Sequence, residues 1–66
     1  MDIMNKQMFV QYRRFEYKFE GFFECEIGKN IKETEDNIKK AIIEKHADTF
    51  GQHSVGWKIL MVTVLN

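Results

Sequence analysis

Trp57-Lys58-Ile59-Leu60-Met61-Val62-Thr63-Val64-Leu65 is the stretch from which the fold is read. Its β-branched and large apolar residues predict a strand. At the two-residue period of a strand, Trp57, Ile59, Met61 and Leu65 fall on one side. Leu60, Val62 and Val64 fall on the other. A strand apolar on both sides is normally covered on both sides. The chain has one helical segment to offer, and a helix covers only one face of a sheet. The spare side therefore predicts a second cover. That cover is either a dimer mate or protein partner, or the leading residues Ile3 and Met4 folded back.

Upstream lies the helical segment. Gly28-Lys29-Asn30 breaks the preceding pattern, and Asn30 followed by Glu33 has the spacing of a capping box. Thr34 is an alternative cap. Ile38, Ala41, Ile42 and Thr49 then recur at helical spacing, so a helix is expected to run to about Thr49, with Gly51 as its stop. Glu35 with Lys39 and Asp36 with Lys40 are helix-favouring pairs on the outer face.

Further upstream, 8–19 reads as one long strand and 22–27 as a second. Phe23, Cys25 and Ile27 alternate with Glu24 and Glu26. A three-residue turn at Glu20-Gly21 would place Phe15 and Tyr17 with Phe23, Cys25 and Ile27 on one face. Arg14, Glu16 and Lys18 would then oppose Glu24 and Glu26. Val10 and Tyr12 are out of phase with Phe15 and Tyr17, which a bulge at Arg13-Arg14 would reconcile. Residues 1–7 read as a loosely ordered lead-in, and 8–66 as one domain. The expected fold is α+β: a β-β-α-β chain forming a three-stranded antiparallel sheet of order 2-1-3, with one helix on one face.

Composition narrows the function. The chain has 66 residues, 44% of them hydrophobic and 14% aromatic, which argues against disorder. Ten basic residues balance ten acidic ones, which excludes binding to nucleic acid by bulk charge. The apolar runs are too short for a membrane helix, so no membrane is expected. One cysteine excludes an internal disulfide framework and suits a reducing, cytoplasmic setting.

Chemistry is sparse. Cys25, His46, His53 and Asp48 lack metal-ligand spacing, so no metal is expected. Cys25 lies between Glu24 and Glu26, which oppose thiolate formation, so a Cys-His nucleophile is set aside. Gly51 and Gly56 do not begin a phosphate loop, because no Lys-Ser/Thr follows and a strand comes next. No cofactor and no small-molecule substrate is expected.

The reading is a non-catalytic protein-interaction module that self-associates, most simply as a homodimer, or docks on a protein through its sheet. It would act as a stoichiometric regulator or inhibitor. Chains of this size are common among phage and mobile-element inhibitors, an analogy by size with no motif behind it. The expected contacts are Tyr12, Arg14, Trp57, Leu60, Val62 and Val64. The alternative is a nucleic-acid-binding module using the basic-aromatic strand 12–19, with Arg13, Arg14, Tyr17 and Lys18 as contacts.

Overall fold

The computed structural model describes residues 5–51 and 55–65. The described elements are strand β1 (Asn5–Arg14), strand β2 (Tyr17–Glu26), helix α1 (Ile31–Lys45), a short helix α2 (Ala47–Phe50) and strand β3 (Trp57–Val64). The sheet is antiparallel and three-stranded, in the order β2-β1-β3, as the sequence predicts. The helices lie on one face. Ile3 and Met4, considered as a cover for the other face, lie outside the described residues, as does His53. Residues 5–7, expected in the lead-in, belong to β1.

The hairpin turn is not at Glu20-Gly21. Arg14 pairs with Tyr17, so the loop is two residues, Phe15 and Glu16. Among the described non-glycine residues Phe15 alone has a positive φ, 52°. A positive φ at only the first loop position is the sign pattern of a type II′ turn, whose twist suits a hairpin. The expected long strand 8–19 is thus two strands joined by a turn. That turn also removes the need for a bulge at Arg13-Arg14, since reversing the chain puts both apolar sets in phase.

The consequence is a different inner face. Met8 pairs with Phe23, Val10 with Gly21 and Tyr12 with Phe19. Met8, Val10, Tyr12, Phe23 and Cys25 are buried beneath Ile38 and Ile42 of α1. Phe15 and Tyr17, expected in this core, are 61% and 59% exposed. The expected ladder of Arg14, Glu16 and Lys18 against Glu24 and Glu26 does not form, because Arg14 faces Tyr17 and Arg13 faces Lys18.

The last strand holds the second difference. Gln11 pairs with Met61, but Tyr12 pairs with Ile59. Leu60 is therefore an extra residue, a β-bulge, and the phase of β3 changes there. Trp57, Ile59 and Val62 all pack toward the helices. Met61 goes to the opposite face beside Gln11. The expected grouping of Leu60 with Val62 and Val64 is broken, because Val62 and Val64 pair with the inward-facing Val10 and Met8.

The helix begins as its sequence predicts. Asn30 accepts a hydrogen bond on its side-chain oxygen from the Glu33 N–H at 2.9 Å. Thr34, the alternative cap, lies inside α1, and its hydroxyl donates to the Asn30 carbonyl at 3.1 Å. Asn37 Nδ2 donates to the Glu26 carbonyl at 2.9 Å and ties α1 to the end of β2. The helix ends at Lys45 rather than Thr49, and His46 caps it. Thr49 is exposed, and Phe50 packs on the core in its place. Gly51 stops α2 with φ 74°.

Gly56 precedes β3 with φ 86°, and a Cβ built there would meet the Phe15 ring at 2.8–3.0 Å. Gly56→Ala should therefore lower unfolding stability by about 1–2 kcal/mol through left-handed backbone strain alone. The crowding of the Phe15 ring adds to this. Urea denaturation checks it, and an unchanged midpoint would contradict the account of the Phe15–Gly56 contact.

Candidate functional site

The helix side of the sheet is consumed by an aromatic cluster. Tyr12 sits at its centre, 1% exposed, with ring centroids of Phe19, Phe23, His46 and Trp57 at 5.6–5.9 Å. Its hydroxyl is 2.7 Å from His46 Nε2. Burial raises the Tyr12 pKa. Burial first, and the positive charge of Lys45 second, lower that of His46. Both directions keep the phenol protonated and the imidazole neutral, so the pair shares one hydrogen bond whose donor is set by the ring tautomer.

Arg14 is also on this side. Its guanidinium lies over Phe50, Trp57 and Phe15, at 4.8, 5.4 and 5.7 Å from the ring centroids, and donates to the Phe50 carbonyl at 3.4 Å. Stacking of this kind holds α2 against the start of β3. Trp57 is 6% exposed, and its Nε1–H is buried with no hydrogen-bond partner among the described residues. An unpaired buried donor costs about 1–3 kcal/mol. The rings of Tyr12, Phe19, His46 and Phe50 and the Arg14 cation packed around the indole offset that cost.

Tyr12 and Trp57, both expected at a partner contact, are thus core residues, and Arg14 is engaged within the fold. Val62 is half-buried under the helices. Leu60 and Val64 are exposed, but on opposite faces. The nucleic-acid set divides likewise. Arg13 and Lys18 share one rung of the open face, whereas Arg14 and Tyr17 share a rung of the covered face.

The open face is the surface left over. Successive rungs across it can be read from the pairing. Phe22, Phe9 and Thr63 form one rung, and the Phe9 and Phe22 rings are 5.2 Å apart. Phe22 is 71% exposed. The next rung is Glu20, Gln11 and Met61, with bulged Leu60 beside it. A shallow hollow of about 330 Å³ lies here, lined by Gln11, Lys18, Phe19, Glu20 and Leu60. Beyond it comes a rung of three cations, Lys18, Arg13 and Lys58. On the other side of the phenylalanines, Glu24 pairs with Gln7 and the Leu65 N–H donates to the Gln7 carbonyl at 2.8 Å.

This face is an aromatic ridge beside a hollow, with a positive strip at the turn end and carboxylates on β2. Phe9, Phe22 and Met61, which the structure places on this face, were not among the expected contacts. The signal was present, since Phe22 alternates with Glu20 and Glu24, but the expected register gave that face to a ladder of Arg14, Glu16 and Lys18 against Glu24 and Glu26.

Other chemistry gathers nowhere on the described surface. Cys25 is buried and its pKa raised by burial, which disfavours the thiolate. Among the described residues no three of His, Cys, Asp and Glu stand close enough to hold a metal ion. None of the described helices is long and apolar enough to cross a membrane. Comparison with protein-family models, curated proteins and solved structures found no match.

The Tyr12–His46 contact carries a pH prediction. The folded pKa of His46 lies below its ordinary value of about 6.5. Its contribution to stability is complete above that value and falls as pH drops through 6.5 toward the lowered value, because the unfolded chain takes the proton first. Urea midpoints between about pH 7.5 and 5.5 should decline for the native chain and decline less for His46→Gln. Equal slopes for the two chains would contradict it.

Proposed function

We propose that this chain is a non-catalytic protein-interaction module that docks a protein surface on the open face of its sheet. The observation that carries the reading is the open-face ridge of exposed Phe22 against half-buried Phe9, with exposed Met61 and Leu60 on the neighbouring strand. A lone exposed phenylalanine needs no explanation, but a contiguous apolar band rimmed by charge marks an interface. Aromatic residues and methionine are the types enriched in such contacts. A stoichiometric regulator or inhibitor acts in this way, by covering a surface. The buried thiol of Cys25 suits the reducing conditions of the cytoplasm.

Nucleic acid is the weaker reading. Arg13, Lys18 and Lys58 line up as a phosphate-binding strip would. The stacking platform itself is hostile to phosphate, because Glu20 and Glu24 flank Phe22 on the same side of β2. Arg14, the remaining arginine of the strand, is stacked within the fold.

Phe22→Glu tests the reading. The side chain is exposed but pairs with the Phe9 ring, so unfolding stability should fall by about 1 kcal/mol, and circular dichroism verifies that the variant is folded. Proteins captured from a source lysate, or cross-linked to the chain, should be lost with this variant and kept with Lys29→Glu on the far loop. Capture that survives Phe22→Glu would overturn the proposal. So would binding of a single-stranded oligonucleotide that weakens steeply with salt and requires Arg13 and Lys18.

A further inference from the structure

The same face has a property that docking alone does not require: it matches itself. The aromatic ridge, Phe9 with Phe22, and the hollow lined by Gln11, Lys18, Glu20 and Leu60 lie on opposite sides of the rung that joins Val10 to Gly21. An isologous contact needs such an arrangement, because a two-fold axis sends each feature onto its complement in the other copy. A two-fold axis lying in the plane between two stacked sheets, across the strands at the Val10–Gly21 rung, sets each ridge against the other copy's hollow. Phe9 then faces Gln11 and Phe22 faces Glu20, whose carboxylate meets the positive edge of the ring.

Charge agrees with shape under that one operation. Lys18 lies three rungs from the axis on one side and Glu24 three rungs on the other, both on β2 and both on the open face. The axis superposes Lys18 of each copy on Glu24 of the other, so the pair is made twice. The cation rung of Lys18, Arg13 and Lys58 is unfavourable within one chain, since like charges sit on neighbouring strands. Stacking gives its β2 end a carboxylate. An axis along the strands would instead set β2 of one copy over β3 of the other and bring cation over cation. The charge pattern thus selects one of the two ways of stacking the sheets.

We infer that the open face is the self-association surface of this protein, and that the occupant is a second copy stacked face to face with its strands antiparallel. This rests on the proposed docking face and names its partner. Aligned sheets pack ~10 Å apart and cross at ~30°, within reach of phenylalanine and lysine side chains. Three strands of this length offer a flat area of roughly 400 Å² per copy. A standard interface buries about 800 Å² per partner, so the dimer is a weak one, with Kd on the order of micromolar or above.

A charge swap tests the geometry. Sedimentation velocity from low micromolar to several hundred micromolar should show reversible dimerisation of the native chain. Lys18→Glu and Glu24→Lys should each weaken it by about tenfold or more, since each sets like charges together twice. The double variant Lys18→Glu/Glu24→Lys should restore it to within a few-fold of the native value. Both residues are exposed, and circular dichroism verifies that each variant is folded. A native chain that stays monomeric throughout the range overturns the inference. So does a dimer indifferent to the single reversals, or one that the double variant does not restore. Phe22→Glu separates this failure from failure of the docking reading. A monomeric chain whose captured protein is lost with Phe22→Glu leaves docking standing and removes only the second copy as occupant.

Discussion

The two-residue turn at Phe15-Glu16 is the constraint on which everything else rests. It sets the register in which Arg14 meets Tyr17, and every rung of the hairpin follows from it. A shift of one residue would exchange the two faces of β2 relative to β1. Phe22 would then compete with Phe23 for the core, and Glu20 and Glu24 would turn toward α1. The turn itself is locally unfavourable, because phenylalanine has no preference for a positive φ. Tertiary contact compensates: the Phe15 ring rests on Gly56, and the Phe15 N–H reaches the Gly56 carbonyl at 3.4 Å. The hairpin tip is thus held by the entry to β3, so the two register choices in the sheet are coupled.

The register places Tyr12 where all the elements converge. Its ring touches residues of β2, of β3 and of the helix junction, and its hydroxyl finds a polar partner in His46. His46 occupies the break between α1 and α2 for the same reason. Breaking there turns Phe50 back onto Trp57 and Arg14. The helical side of the molecule is therefore closed by aromatic packing, and the other side keeps the ridge and the hollow.

Fold class and strand order were legible because they depend on coarse properties. Apolar runs, the Asn30 cap and the Gly51 stop are each written locally in residue type. The turn was not legible. Gly21 is the residue that hairpin chemistry favours, whereas Phe15-Glu16 has no turn propensity and owes its conformation to Gly56, forty-one positions away in the chain. Gly21 has another task. A Cβ there would lie 2.8 Å from Lys45 Nζ, and the glycine leaves room for that ammonium over the Phe23 ring, 4.9 Å from its centroid. The bulge at Leu60 was hidden for a related reason. With apolar residues at 59–62, no polar residue marks the point where the alternation changes phase. An apparently two-sided strand was a one-sided strand with one residue too many. The surface residues were misassigned as a direct result, since sidedness in a sheet has a memory of every earlier slip.

The placement of β1 in the middle of the sheet has a consequence for synthesis. Its hydrogen-bonding partners on one edge follow at once in β2, but those on the other arrive only with β3, the last of the sheet's three strands in chain order. While the ribosome still holds residues 57–64, the nascent hairpin presents a bare central edge, and Tyr12 lacks the indole that closes its cluster. Folding of this domain accordingly waits for β3, and the interval before it pairs is when chaperones or proteases would meet the chain.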